Sequence, residues 1–381
     1  MLRKDSEKKI KILHVVGAMN AAGLETLIMN IYRNIDRNKV QFDFAVQTTD
    51  KCFYDDEILK LGGRIIPHPK PKNSLKKYKK ALESTIIEYG PYDAIHSHVL
   101  FFSGIVLSVA NKHSIPIRIA HSHNTSDSKD NSIFRKIYRQ IMRQRILKNA
   151  THLIGCSKEA CEYVFGKSTY KSGVSKHFPN AIDLRKYKNL TRDKSYLTDE
   201  LKLSNNSMLI GHIGRFTKQK NHVFVVELFS AYLKKEPNAH LVLVGEGNER
   251  ENIERLVREK NIEDKVHFLG LRNDIEYILS SIDLFLFPSL YEGLGIVLVE
   301  AQAAGIPCLI SDVIPAEADL NIGLIKRQSL SDGIQYWIRA IEGSVILDEK
   351  KWESIEPALI NSGYDIKASS NTLLKIYSGD E

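Results

Sequence analysis

From residue 287 to residue 300 the chain reads FPSLYEGLGIVLVE, and this stretch decides the fold class. An apolar strand ends at Pro288, and the glycines at positions 293 and 295 then let the backbone approach a ligand closely. An apolar helix is predicted to begin near Gly295 and to end at Gly305, ahead of Pro307. A strand, a glycine-containing loop and a helix in this order are typical of a parallel βαβ unit.

The same alternation of strands and helices extends outward over most of the chain. In the second half, strands are predicted over residues 208–213, 239–244, 266–268, 284–288 and 308–311. In the first half, they are predicted over residues 11–16, 40–47, 64–66, 94–98, 117–121 and 152–156. The sequence therefore predicts an α/β protein with two doubly wound, Rossmann-like domains that face a central cleft.

The polar, irregular stretch over residues 179–206 fits a linker between the two domains. We predict an N-terminal domain over residues 1–185 and a C-terminal domain over residues 186–361. A last amphipathic helix, at about residues 362–381, is predicted to pack back on the N-terminal domain.

Charge is divided unevenly along the chain. Of its 381 residues, 54 are Lys or Arg and 46 are Asp or Glu, which gives a net charge of +8. Residues 1–190 contain 33 basic and 17 acidic residues, so that half carries +16 and the other half −8. A solvated lysine-rich surface and an attraction to anionic lipid headgroups are both consistent with this division. The basic face of the predicted helix over residues 135–148 is a candidate for such a membrane contact.

Several classes of protein are disfavoured by the composition. No apolar run approaches the roughly 18 residues of a membrane span, and residues 1–11 lack a signal-peptide core. The four cysteines form no C-x-x-C pair, and no histidine cluster has zinc spacing. No nucleic-acid motif accompanies the basic half. We therefore expect a cytoplasmic protein, in peripheral contact with the inner face of the membrane, and no nucleic-acid partner.

A second motif whose residues could bind a ligand is GRFTKQKN, over residues 214–221, directly after a predicted strand. Arg215 offers a rigid bidentate fork and Lys220 a point charge, and together they suit a diphosphate leaving group. Glu292, on the loop that follows Pro288, suits sugar hydroxyls. Glu300, inside the helix after that loop, suits ribose hydroxyls. The alternatives of a solvated basic loop and a glycine-rich junction remain open on these residues alone.

Three weaker signals complete the survey. The small-residue loop VGAMNAAGLE, over residues 16–25, could let a phosphate approach the backbone, but it is not G-x-G-x-x-G. The tripeptide Gly245-Glu246-Gly247 also lacks a third glycine, so both are weak evidence for NAD. Two histidine pairs, His96 with His98 and His121 with His123, follow predicted strands, and their imidazoles could bind sugar or phosphate oxygens.

Together these motifs resemble the retaining glycosyltransferases of family 4, which have the GT-B fold. The pattern of Glu292 and Glu300 with seven residues between them carries most of this resemblance. Residues 214–221, 245–247, 268–270 and 301–307 follow in the family's order, as do Gly23, His98, His121 and residues 179–183 in the first half. The amino-acid sequence around Tyr291 and over residues 301–305 is similar to that of bacterial exopolysaccharide and capsule transferases. Two departures are Ala181, where the family has glycine, and a short segment over residues 312–330.

The resemblance implies an enzyme that transfers a hexose or N-acetylhexosamine from a nucleotide-sugar, by default a UDP-sugar, to a glycan or lipid-linked acceptor in polysaccharide biosynthesis. It implies no metal and no other cofactor, and an acceptor-binding N-terminal and a donor-binding C-terminal domain. The implied catalytic residues are His121, Arg215, Lys220 and Glu292. The implied donor-binding residues are Gly23, Arg215, Lys220, Leu271, Arg272, Glu292, Gly293, Leu294, Gly295, Ile296, Val297 and Glu300. His98, His123 and Asn124 are implied near the acceptor or sugar. The alternative, suggested by the short segment, is a non-catalytic partner that binds sugar nucleotide.

Overall fold

A computed structural model of the chain describes residues 9–125, 132–344 and 351–380. Residues 1–8, most of the N-terminal stretch that lacks a signal-peptide core, lie outside this description. The chain divides into two compact units. The N-terminal unit comprises Met1–Ala181 and Ile366–Glu381, and the C-terminal unit comprises Ile182–Asp365.

A seven-stranded parallel sheet forms the centre of the N-terminal unit. Its strands are β1 (Ile10–Val15), β2 (Val40–Val46), β3 (Arg64–Pro67), β4 (Ala94–Ser97), β5 (Ile117–Ser122), β6 (His152–Gly155) and β7 (Ser175–His177). Its helices are α1 (Gly23–Asn34), α2 (Asp55–Lys60), α3 (Leu75–Tyr89), α4 (Ser103–Lys112), α5 (Ile133–Asn149), α6 (Lys158–Phe165) and α7 (Lys167–Lys171). The strand order is β3-β2-β1-β4-β5-β6-β7, which reverses direction beside β1 as in doubly wound folds.

The C-terminal unit contains a six-stranded parallel sheet with the order β10-β9-β8-β11-β12-β13. In chain order its elements are α8 (Ser195–Leu201), β8 (Met208–Ile213), α9 (His222–Tyr232), β9 (Ala239–Val244), α10 (Arg250–Glu259), β10 (Val266–Gly270), α11 (Ile275–Ser281), β11 (Leu284–Phe287), α12 (Ile296–Ala303), β12 (Cys308–Ser311), β13 (Ile325–Gln328), α13 (Ile334–Ser344) and α14 (Trp352–Asn361). The two predicted Rossmann-like sheets are confirmed.

Each sheet is covered with apolar side chains on both faces, as expected of parallel strands between helices. On β1, Ile12 joins one core cluster and its neighbour Leu13 joins another. On β11, Leu284 and Phe285 divide in the same way between the two clusters of the C-terminal unit. Alternating strand residues therefore contribute to both cores, and the polar groups of interest lie at the strand ends. No helix within the described residues has both the length and the apolarity that crossing a bilayer requires.

The unit boundaries differ by a few residues from the predicted ones. The Ile182 backbone N–H donates to the Tyr364 carbonyl at 2.9 Å, and Leu184 and Leu197 are buried in the C-terminal core. Residues 182–206, predicted as a linker with residues 182–185 in the first domain, thus belong to the C-terminal unit.

The last helix, α15 (Ile366–Ser378), belongs to the N-terminal unit. Its buried residues Ile366, Leu373, Ile376 and Tyr377 join the core cluster of α1 and β2. Four apolar side chains at helical spacing make one face, and burial of that face holds the chain's end on the N-terminal sheet.

Candidate active site

Two loops at the carboxyl edge of the C-terminal sheet hold half of the predicted donor-binding residues, and α12 holds three more. The first follows β8 and includes a turn of 3-10 helix over Lys218–Lys220, which ends at Asn221 with a left-handed backbone (φ +59°). A Cβ on Gly214 would lie 3.1 Å from the Lys220 side chain, so the absence of a side chain there lets Lys220 lie close against the backbone.

The second loop follows β11 and ends at Gly295, which has φ +79° and precedes α12. Leu294 and Val297, predicted to bind the donor, are buried in the apolar core. Only their backbone groups can serve a ligand, together with those of Gly293, Gly295 and Ile296. This suits an anion at the start of the helix, where the first N–H groups have no intrahelical partners.

The two loops are hydrogen-bonded to each other. The Leu290 backbone N–H donates to the Gln219 carbonyl at 2.8 Å, and the Gln219 side-chain amide donates to the Tyr291 carbonyl at 2.9 Å. The Asn221 amide donates to the Pro288 carbonyl at 3.1 Å. These contacts fix the register of one loop against the other, although some 70 residues separate them in sequence.

Lys220 and Glu292 form an ion pair between the two loops. The Lys220 ammonium lies 2.7 Å from Glu292 Oε1, and the two side chains are only 15% and 6% exposed. The same ammonium lies 4.4 Å from the centre of the Phe287 ring, within the range of a cation–π contact. The half-buried Lys220 ammonium is thus held in position by Glu292 and Phe287, and solvent screens its charge less than that of a surface lysine.

The glycines at 245 and 247 have a packing role. A Cβ on Gly245 would lie 2.2 Å from the Gly214 carbonyl oxygen, and one on Gly247 would lie 2.3 Å from the Phe216 carbonyl oxygen. Any side chain there would push the β8 loop away from the end of β9. This contact has no signal in the sequence, because the two segments meet only in the folded sheet.

Glu300 lies on α12, beyond the first turn. Burial raises the pKa of its carboxyl to about 7; Lys186 opposes this rise and Glu276 adds to it. Lys186 itself is paired with Glu276 at 2.9 Å. A carboxyl with such a pKa beside a candidate ligand site is typical of functional positions.

Leu271 and Arg272 follow β10 at the same edge of the sheet. The Arg272 guanidinium contacts Asp274 and Glu200, each through a bond of 2.6 Å, and these carboxylates hold its pKa above the ordinary range. The Leu271 side chain is 43% exposed. The Arg272 guanidinium is therefore fixed in position. Its sequence neighbour Leu271 exposes an apolar surface on which the planar base of a nucleotide could pack.

The histidines predicted in the N-terminal unit form a buried cluster that is larger than expected. His98 and His123 share a hydrogen bond of 2.9 Å, and His96 and His121 share one of 3.2 Å. His14, which the sequence interpretation missed, lies 3.1 Å from His98. His14 on β1 pairs in register with His96 on β4. The signal that could have found it is the presence of a histidine near the end of each of these two strands.

Burial keeps these imidazoles neutral. It lowers the pKa of His14 and His123 to about 3, and the pKa values of His96, His98 and His121 lie well below the ordinary value. Neutral imidazoles are possible metal ligands, and two sets of three in this cluster have ligand atoms within 4.8 Å of one another. Both sets include His98, whose two ring nitrogens already take part in hydrogen bonds, so a metal would have to replace those bonds.

The remaining predicted residues of the N-terminal unit follow strands of its own sheet, at the carboxyl ends of those strands. Asn124 is exposed, just beyond β5, and Gly23 is the first residue of α1. The cap residue Ala22 provides no side-chain hydrogen bond to the start of that helix. Its first backbone N–H groups are therefore not satisfied by a capping side chain.

Comparison with known proteins identifies the family. Residues 194–323 match "Glycosyl transferases group 1", and residues 21–186 match "Glycosyltransferase Family 4". The chain is also 37% identical over 374 residues to the "Putative glycosyltransferase EpsF" of Bacillus subtilis (strain 168), which covers 97% of this chain and 96% of EpsF. The chain belongs to the family 4 glycosyltransferases. The predicted family and enzyme class are confirmed.

Two further relatives have more specific names. The capsular polysaccharide biosynthesis glycosyltransferase CapH of Staphylococcus aureus is 27% identical, over 77% of this chain and 79% of CapH. An Escherichia coli UDP-Gal:alpha-D-GlcNAc-diphosphoundecaprenol alpha-1,3-galactosyltransferase is 24% identical, over 81% of each chain. The predicted similarity to capsule transferases is thus confirmed.

A solved structure confirms the fold. Anabaena HepE, crystallised with UDP and glucose, superposes with a TM-score of 0.78 over 97% of this chain and 99% of HepE, at 18% identity. This glycosyltransferase therefore has the GT-B fold that the sequence predicted. The domain boundaries and the roles of the site residues stay predictions. The proposals below use those roles.

Proposed function

We propose that this glycosyltransferase moves a hexose or N-acetylhexosamine from a UDP-sugar to a glycan or lipid-linked saccharide in bacterial polysaccharide biosynthesis. The observation that carries the proposal is the contact of Lys220 with Glu292. A cation suited to a diphosphate and a carboxylate suited to sugar hydroxyls meet at one sheet edge, where such folds bind ligands. The HepE complex with UDP and the E. coli enzyme named for UDP-Gal support uracil as the base.

The leaving diphosphate would be stabilised by two cations. As the bond between the anomeric carbon and the phosphate oxygen breaks, negative charge grows on the diphosphate, and Lys220 and Arg215 would neutralise it. Lys220 would then exchange its partner, from Glu292 to phosphate. Glu292 would be released to accept hydrogen bonds from sugar hydroxyls, so donor binding and orientation of the sugar would be coupled.

The nucleoside would extend along the same edge. The Glu300 carboxylate would accept hydrogen bonds from the ribose hydroxyls, at the level of α12, and the base would lie near Leu271 and the fixed guanidinium of Arg272. In the N-terminal unit, Gly23 would lie beside the phosphates, and His121 near the reacting sugar.

We propose retention of the anomeric configuration, by attack on the face from which the diphosphate leaves. The leaving phosphate oxygen would take the proton of the acceptor hydroxyl as the new glycosidic bond forms. No protein nucleophile is required by this scheme, and no metal, since Arg215 and Lys220 supply the positive charge. His98, His123 and Asn124 would lie near the acceptor or the sugar.

The purified chain provides the test. Thermal-shift measurements with UDP-, GDP- and ADP-sugars should show stabilisation by one nucleotide class, since a ligand bound only to the native state raises the unfolding temperature. Turnover of that donor should fall at least a hundredfold in Lys220→Ala. Lys235→Ala, which removes an exposed lysine paired with Glu342 in the same unit, should keep wild-type turnover.

Two outcomes would contradict this assignment. Full activity in Lys220→Ala would remove the proposed diphosphate site. Donor binding without transfer by the purified chain, restored only by a second transferase, would favour the alternative of a non-catalytic partner. The anomeric proton coupling in the NMR spectrum of the product separates retention from inversion.

A peripheral membrane contact is the second proposal, and α5 carries it. Phe134 is 80% exposed, Ile133 63% and Ile137 50%, so the start of this helix presents apolar side chains to solvent among several arginines. Further along the same helix Met142 and Ile146 are buried, whereas Ile141 is 47% exposed. Apolar and cationic side chains on one exposed helix suit an anionic bilayer surface, where a lipid-linked acceptor would lie.

Vesicle sedimentation tests the contact at physiological salt. The wild-type chain should bind vesicles that contain anionic lipid and not neutral ones, and Phe134→Asp should weaken binding at least fivefold. Ile360→Asp, at a residue of the C-terminal unit that is 51% exposed, is the matched control and should bind normally. Equal binding by Phe134→Asp and wild type would exclude α5 as the contact.

A further inference from the structure

Tyr377, on the last helix, is connected to His121 through one other side chain. The Tyr377 hydroxyl lies 2.7 Å from His96 Nδ1, and His96 Nε2 lies 3.2 Å from His121 Nδ1. All three side chains are at most 2% exposed. His121 Nε2 is the far end of this relay, and it has no hydrogen-bond partner within the described residues.

We propose that Tyr377 is a positioning residue that fixes the tautomer of His121, so that His121 presents an N–H at Nε2 to an oxygen of the substrate. The proposal deepens the function proposed above and rests on it in one respect, namely that His121 lies beside the reacting sugar. The relay itself is a property of the N-terminal unit alone.

The direction of the hydrogen bonds follows from what each end can offer. Tyr377 is enclosed in the apolar cluster of α1 and β2, and in the described part of the chain its hydroxyl has His96 as its hydrogen-bond partner and no other. If His96 Nδ1 carried the proton, the hydroxyl hydrogen of Tyr377 would be buried without an acceptor, which is costly in free energy. The hydroxyl therefore donates to His96 Nδ1.

The remaining protons are then determined. A neutral imidazole carries one proton, so His96 carries it on Nε2 and donates to His121 Nδ1. His121 in turn carries its proton on Nε2. Burial keeps the pKa values of His96 and His121 well below the ordinary value and that of Tyr377 well above it, so none of the three groups changes charge near neutral pH.

A chemical consequence follows for the proposed reaction. A His121 that carries its proton on Nε2 is a hydrogen-bond donor at that nitrogen, and it is not available there as a general base. An oxygen acceptor beside it, such as a sugar hydroxyl oxygen, would pair the last polar hydrogen of the relay. The opposite orientation would leave the Tyr377 hydrogen unpaired whatever the ligand.

The other histidine chain of the cluster is an internal comparison. His123, His98 and His14 are linked by bonds of 2.9 and 3.1 Å, and the outer nitrogen at each end, His123 Nδ1 and His14 Nε2, has no partner within the described residues. No hydroxyl at one end fixes the direction of that chain. Its tautomers should therefore not depend on Tyr377.

Nitrogen-15 NMR of histidine-labelled protein tests the relay directly, because protonated and unprotonated ring nitrogens have well-separated chemical shifts. In the wild-type chain, with UDP present, His121 and His96 should each show a protonated Nε2 and an unprotonated Nδ1. In Tyr377→Phe, which keeps the ring that packs on Phe42, the His121 signals should move toward a mixture of tautomers while those of His123 stay in place.

Kinetics give a second measure. Tyr377→Phe should lower kcat roughly two- to tenfold, with a KM for the donor within about twofold of wild type, because the ordering of a donor N–H is lost and the binding groups are kept. Tyr32→Phe is the matched control: it removes a buried hydroxyl of the same cluster that donates to the Leu61 carbonyl at 3.1 Å, and it should leave both kcat and the His121 signals unchanged.

The outcomes are separable. An unprotonated His121 Nε2 in the wild-type chain, or His121 signals unmoved by Tyr377→Phe, would overturn the relay whatever the activity. Absence of transferase activity together with the expected NMR changes would overturn the proposed function and leave the relay standing. Equal loss of kcat in Tyr32→Phe and Tyr377→Phe would indicate a general packing effect and refute the positioning role.

Discussion

Replacement of Glu300 by glutamine should stabilise the C-terminal unit, and only at high pH. The Glu300 carboxyl has a pKa of about 7 in the folded chain against an ordinary value of 4.5, so folding favours its protonated form. The associated cost is absent below about pH 4.5, grows as pH rises through 7, and is complete above about pH 8. Stability should therefore fall with rising pH across this window.

The size of the effect follows from the two pKa values. Each pKa unit corresponds to about 1.4 kcal/mol, so ionisation of Glu300 costs at most about 3 kcal/mol. Because the side chain is only partly buried, solvent screens some of this cost, and we expect about 1–3 kcal/mol at pH 8. Glu300→Gln, which is neutral at every pH, should gain this amount at pH 8 and almost none at pH 4.5.

Both tryptophans of the chain, Trp337 and Trp352, lie in the C-terminal unit, so their fluorescence during urea denaturation reports on that unit. Glu259→Gln, at a carboxylate whose side chain is 63% exposed, is the control and should change stability by less than about 0.5 kcal/mol. A gain for Glu300→Gln that is the same at pH 4.5 and pH 8 would refute the reasoning, since a packing change and not ionisation would then explain it.

Three further outcomes are expected. Affinity for the UDP-sugar that binds, measured by calorimetry, should fall up to about thirtyfold from pH 8 to pH 5.5, because the proposed hydrogen bonds from ribose hydroxyls require the ionised Glu300 carboxylate. The same profile should be flat in Glu300→Gln, and a steep profile in that variant would assign the pH dependence elsewhere. Gly245→Ala should destabilise the chain by about 2–4 kcal/mol in urea denaturation, since its Cβ would lie 2.2 Å from the Gly214 carbonyl oxygen and its φ is +134°. Gly333→Ala, where nothing lies within 4 Å, is its control, and equal effects of the two would contradict the packing argument.

Much of the candidate site could be predicted from the sequence because its position depends on local pattern. A strand, a loop with glycine and a helix follow one another over residues 284–303, and parallel sheets align the ends of such strands at one edge. Lys220, Glu292 and Glu300 were therefore recognised as candidates, and the family resemblance assigned them different roles. The start of the C-terminal unit at Ile182 is not readable from local pattern, since it depends on a distant backbone partner at Tyr364.

The sequence alone is enough to predict the order of the elements, the two parallel sheets and the residues at the carboxyl ends of their strands. Only the tertiary structure decided that Lys220 pairs with Glu292, that Glu300 carries a raised pKa, and that Tyr377 reaches His121 through His96. These properties depend on strand order, register and burial, which bring together side chains as many as 281 residues apart. Periodicity along the chain reports which face of an element is apolar, and it contains no record of the partner that the face will meet.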